Sequence, residues 1–177
     1  MHSDASPRSS RLEPWNVGVP DEVTKVLYVH GGLHLYELSG SRAVKRVAGA
    51  ENLLDAFYRI AEKQTSAIPL VVAEGNAGEK LAAIGASPYL SFAYDRLVSF
   101  DEPLVVFGHG LGASDQHITD AIARWRSRHL AISIRPQGED HVKAEKARYH
   151  QKFPAAEIAF FDAATHPLGS PEVNLCT

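Results

Sequence analysis

Short apolar runs separated by amphipathic stretches set out most of this chain. Lys25 to His30 (KVLYVH) is a continuous apolar, β-branched run and predicts a buried strand that stops at Gly31-Gly32. Leu33, Leu35 and the alternating Arg42 to Val47 flank Ser39-Gly40-Ser41, the pattern of a β-hairpin. Over residues 51–64, Leu53, Leu54, Phe57, Ile60 and Ala61 fall on one face of a helix. Pro69 opens a short strand, PLVVAEG. The stretch 76–99 reads as two helices: Gly78-Glu79-Lys80-Leu81 begins the first, Gly85 weakens it, and Pro88 starts the second at its N1 position. Pro103 opens LVVFG, the strongest strand signal in the chain. Residues 114–128 place Ile118, Ala121, Ile122 and Trp125 at helical spacing. Leu130 to Ile134 (LAISI) predicts a strand, 139–152 a polar helix, and Glu157 to Phe161 (EIAFF) a last strand before a Pro/Gly/Ser tail.

From about residue 69 the predicted order is strand, helix, strand, helix, strand, helix, strand. Such alternation implies parallel strands joined by crossover helices, with both sheet faces covered. The expected fold is therefore α/β: three-layer, Rossmann-like, with a mostly parallel sheet.

The chain has 177 residues, which suits one domain. Residues 1–20, rich in Ser, Pro and Arg, read as a flexible lead-in, 21–168 as a single α/β domain and 169–177 as a tail. A domain that opens this way lacks the N-terminal strand and Gly-rich turn with which Rossmann-type folds begin. Hydrophobic residues make up 45%, enough for a real core. Net charge is −3 and no Lys/Arg stripe is apparent, so nucleic-acid binding is not expected. No apolar run approaches the ~20 residues of a membrane span, and the N-terminus is no secretory signal. The single cysteine, Cys176, cannot form an internal disulfide, which fits a cytoplasmic protein.

Gly108-His109-Gly110-Leu111-Gly112 lies where LVVFG gives way to a helix. Open α/β sheets bind ligands outside the carboxyl ends of their strands, and glycines there let backbone amides approach a phosphate or a ribose. Ser114 or Asp115 is placed to cap the helix that follows. The spacing is not the dinucleotide fingerprint, which needs a different third glycine. YVHGG and GHGLG also resemble the oxyanion strand and nucleophile elbow of α/β-hydrolases, but Gly110 occupies the nucleophile position. Without a hydroxyl there, an acyl-enzyme cannot form.

Of the histidines, His30 and His34 could share a helical face and bind zinc, but Gly31-Gly32 argues against a helix. A metal site with His109 or His117 is geometrically possible, and no metal ligand set is assigned. His30, at the end of its strand and aimed at the crevice of residues 108–112, is the candidate general base.

Tyr28 to Leu35, Val72 to Gly75 and Phe107 to Ile118 resemble the motifs YLHGxLHL, VxEG and FGHSLGxxDxHI of a bacterial sirtuin-like family of uncharacterised function. Phe160 to Leu168 (FFDAATHPL) is similar to that family's end, and the likeness spans roughly residues 20–168. The resemblance implies NAD as the ligand. His30 then takes the role of the base that activates a ribose hydroxyl, and Gly108, His109 and Gly110, with Ser114 and Asp115, line the ribose. It further implies NAD glycohydrolysis rather than deacylation, since the four zinc-binding cysteines of true sirtuins are missing. This chain departs from the family in two places. Gly110 stands where both groups carry serine, and the first half, with its Gly-Asn-Gly-Phe-Ser phosphate turn, has no counterpart. The chain thus reads as the C-terminal part of a sirtuin-like protein, with NAD binding weak or absent in this chain alone. The partners expected are a missing N-terminal half or a second copy. The other reading is a non-catalytic α/β module acting through protein contacts.

Overall fold

The computed structural model describes residues 9–11, 24–38, 42–46 and 67–165. The chain divides into two compact units, Met1–Leu97 and Val98–Thr177. Both mix helices with strands, so the protein is α/β.

The first unit is built on a four-stranded sheet of order β1-β3-β2-β4. The strands are β1 (Ser9–Arg11), β2 (Gly31–Leu38), β3 (Arg42–Arg46) and β4 (Ile68–Val71). All three pairings are antiparallel. Leu38 faces Arg42 across the expected hairpin. β1 lies inside the stretch read as a lead-in, where three residues pair with β3 from Ser9↔Arg46 to Arg11↔Val44.

The strand expected at Lys25 to His30 is not one. Residues 24–28 are irregular, Val29 and His30 form a turn, and β2 begins at Gly31, where the sequence reading ends its strand. The ladder with β4 begins only at Gly31 and resumes at Tyr36 and Glu37, past the apolar run. Beyond the ladder, Val72 N–H donates to the His30 carbonyl at 2.9 Å and Gly31 N–H to the Tyr28 carbonyl at 3.0 Å. Val26 and Leu27 remain exposed. A hydrophobic run marks a strand only where a neighbour takes its backbone bonds. β4 departs from expectation for the same reason, pairing antiparallel with β2 rather than joining a parallel sheet.

Helices α1 (Ala77–Gly85) and α2 (Pro88–Val98) follow the predicted break. Asn76 caps α1 with a full capping box. Its Oδ1 accepts from Gly78 and Glu79 N–H, while Glu79 Oε2 accepts from Asn76 N–H at 2.8 Å. Leu35, Ala43, Leu70, Ile84, Tyr89 and Leu90 form the core of this unit. Each fully buried aliphatic chain there contributes about 1.5–3 kcal/mol over leaving it in water. The helix expected at 51–64 and the tail at 169–177 lie outside the described residues.

The second unit carries the parallel sheet. β5 (Leu104–Val106), β6 (His129–Ile134) and β7 (Glu157–Asp162) pair in that order, both pairs parallel. Helix α3 (Gln116–Ala123) connects β5 to β6, and α4 (Glu139–Lys152) connects β6 to β7. β6 is central and its Leu130, Ile132 and Ile134 are buried. Because the strands are parallel, their carboxyl ends share one edge of the sheet.

Candidate functional site

The loop after β5 leaves that carboxyl edge. Gly108 has φ +69, a left-handed backbone that glycine adopts without the clash a Cβ would bring. Its N–H donates to Ser133 Oγ of β6 at 3.1 Å, which ties the loop to the middle strand. Leu111 also lies in the left-handed region, at φ +46, and its side chain is only 1% exposed. Burial of that side chain holds a conformation that costs about 1–2 kcal/mol for a residue with a Cβ. From α4, Tyr149 hydroxyl donates to the His109 carbonyl at 3.4 Å. Arg148 lies over the Tyr149 ring at 4.2 Å and reaches Glu145 with two hydrogen bonds, at 2.9 and 2.6 Å. The loop is thus fixed by β6 beneath it and by α4 beside it.

His109 turns its Nδ1 back to accept the Leu111 N–H at 3.0 Å. Its Nε2 stands 3.8 Å from Asp115 Oδ2. An Nδ1 that accepts cannot carry a proton, so the neutral ring bears its hydrogen on Nε2, facing the carboxylate. At 3.8 Å the approach is electrostatic rather than a hydrogen bond. Gly110 and Gly112 lie open: a Cβ built on either meets nothing within 4 Å. Backbone and a histidine donor are therefore available to a ligand along this loop.

The expected helix cap is not made. A 3-10 turn, Ala113–Asp115, precedes α3, with Gly112 at its N-cap. Asp115 is the N-cap of α3, yet its side chain makes no capping hydrogen bond. Ser114 is exposed on the turn. With the helix starting two residues late, His117 and Thr119 join Ala121 and Ile122 in burial, while Ile118 is only partly covered. Trp125 is buried just past the helix end.

The second unit therefore brings together Gly108, His109, Gly110, Ser114 and Asp115 on one loop and turn. His30 belongs to the first unit, half-buried in the turn before β2. Sequence reasoning did not find Ser133 or Tyr149, the two anchors of the loop. Ser133 is the one polar residue within the apolar run LAISI, a position where a hydroxyl tends to find a partner, and that was its one available signal. Tyr149 gave none, sitting in a helix that reads as polar throughout. The helices of the described residues include none long and apolar enough to cross a membrane.

Neither the curated proteins nor the solved structures gave a match. The family model described as "Domain of unknown function (DUF4917)" matches residues 3–168. That match covers nearly the whole chain, and this protein belongs to the DUF4917 family.

Proposed function

We propose that this chain is an NAD-handling domain of sirtuin-like type, with the Gly108–Asp115 loop on the ribose side of the ligand. The observation that carries the reading is the loop itself. It leaves the carboxyl end of a parallel strand, is held from two sides, and has open backbone at Gly110 and Gly112. Ribose hydroxyls need both donors and acceptors. His109 Nε2–H offers a donor, Asp115 an acceptor and Ser114 both. The role of general base falls to His30 through the resemblance of its His-Gly sequence, taking a proton from a ribose hydroxyl. The reaction is glycohydrolysis. The bond between nicotinamide and the ribose carbon breaks, water adds to that carbon, and nicotinamide, ADP-ribose and one proton are released.

Saturation-transfer NMR with NAD and ADP-ribose, run beside chromatography for free nicotinamide, tests this. The expected result is transfer to ribose protons, reduced in His109→Ala. Any nicotinamide release is lost in His30→Ala while transfer persists. Absence of transfer from both ligands at millimolar concentration would overturn the reading.

A further inference from the structure

At the opposite, amino end of the parallel sheet lies a cavity of about 510 Å³ with a different character. Arg124, Arg126, Arg128 and Lys152 line it with Trp125 and Phe153, and the described lining residues include no carboxylate. The nearest acidic neighbour in sequence, Glu157, is engaged by His129 Nδ1 at 3.4 Å. Trp125 and Phe153 are 6% and 3% exposed and give the cavity an apolar wall.

Helix ends account for part of this charge. Arg124 caps the carboxyl end of α3 and Lys152 closes α4, where cations complement the helix dipole. Arg126 and Arg128 lie beyond α3 and have no such reason to be basic. Arg128 moreover sits at φ +55, a left-handed backbone that arginine rarely adopts. Its carbonyl is fixed there by the Glu157 N–H at 2.8 Å. A non-glycine residue held in that conformation beside a cavity points to a functional constraint. Four cationic residues line the cavity and the described lining holds no carboxylate to offset them, and arginine's planar fork is the side chain best matched to phosphate oxygens. The volume is that of a small-molecule site.

We infer that this cavity binds a small phosphate ester, its phosphate met by Arg126 and Arg128 and its planar body against Trp125 and Phe153. The site is separate from the β5 loop and stands whether or not NAD binds there.

Of the two tryptophans, Trp15 and Trp125, Trp15→Phe leaves Trp125 as the sole reporter. In that background, fluorescence is titrated with phenyl phosphate, inorganic phosphate and phenol at low salt. The expected result is a saturable response to phenyl phosphate, displaced by inorganic phosphate and not produced by phenol. Arg126→Glu weakens it about tenfold or more, the worth of one charge-assisted hydrogen bond. Arg128→Asn does the same while keeping a residue that tolerates the left-handed backbone. His109→Ala leaves the response unchanged. Four results overturn the proposal: no saturable response, a response equal with phenol, affinity unchanged in both folded arginine variants, or loss in His109→Ala. A chain that takes up single-stranded oligonucleotide but not phenyl phosphate overturns it equally.

Discussion

The backbone N–H of Leu111 donates to Nδ1 of His109 at 3.0 Å, two residues back along the same loop. This bond and a true His109–Asp115 ion pair exclude each other. An imidazolium carries protons on both nitrogens, and its Nδ1–H would then face the Leu111 N–H. The neutral ring therefore presents its Nε2–H toward Asp115.

Two measurements follow from that bond. Nitrogen-15 NMR of the His109 ring should show the Nε2–H tautomer, and an Nδ1–H tautomer would contradict the loop geometry. Leu111→Ala keeps the left-handed backbone and removes the buried side chain that supports it. We expect a loss of about 2–5 kcal/mol in urea unfolding, the range of buried leucine truncations. A loss below ~1 kcal/mol would mean that Leu111 does not anchor the loop.

Gly110 and Gly112 behave oppositely to Leu111. Neither has a left-handed φ, and a Cβ on either meets no atom within 4 Å. Gly110→Ser and Gly112→Ser should therefore fold with stability equal to the parent or raised by about 0.4–1 kcal/mol, through a less flexible unfolded chain. Gly110→Ser also supplies the hydroxyl that the sirtuin-like resemblance expects. Under the NAD reading it strengthens the saturation-transfer response. A marked drop in melting temperature for either variant would show that the loop is more crowded than its geometry says.

At Gly31 the reverse holds. A Cβ there would lie 1.8 Å from the Leu70 carbonyl oxygen, and φ is +73. The obstacle is backbone of the neighbouring strand, so no side-chain rotation relieves it. Gly31→Ala must break the Gly31↔Val71 pairing or displace β4. We expect lost protection of the β2 and β4 amides in hydrogen exchange, with the 129–134 amides of the other sheet less affected. Protection unchanged from the parent would show that this close approach is absent in solution.

What the sequence made legible was local. LVVFG, LAISI and EIAFF became β5, β6 and β7, and the break between Gly85 and Pro88 separated α1 from α2, because each signal lies within a few residues. Partner choice was not legible. Whether PLVV joins a parallel sheet or pairs antiparallel with Gly31–Leu38 depends on residues over thirty positions away. The basic cavity was hidden for a similar reason. Arg124, Arg126 and Arg128 are spaced along a connection that suggests ordinary surface, and Lys152 reaches them only through the fold of α4. The candidate loop was found by its glycines, but its anchoring through Ser133 and Tyr149 required the three-dimensional structure.

His34 is placed to make the first unit sensitive to acid. Its ring stands edge-on to Tyr28, with centroids 4.6 Å apart, and its Nε2 is buried with no hydrogen-bond partner among the described residues. Burial, helped by the nearby Lys45 charge, holds its pKa below the ordinary 6.5. Protonation therefore favours the unfolded chain. The stability due to neutral His34 is complete above pH 6.5 and declines as pH falls from there toward the lowered value. His34→Phe keeps a ring against Tyr28 and removes the titration. Unfolding free energies of parent and variant should stay parallel above pH 7 and diverge as pH falls below 6.5, the parent falling faster by at most about 1.4 kcal/mol per pH unit. The chain has nine histidines, so the difference between the two proteins, rather than the parent's slope, isolates this one. Parallel slopes throughout that window would mean His34 titrates alike in the folded and unfolded chain.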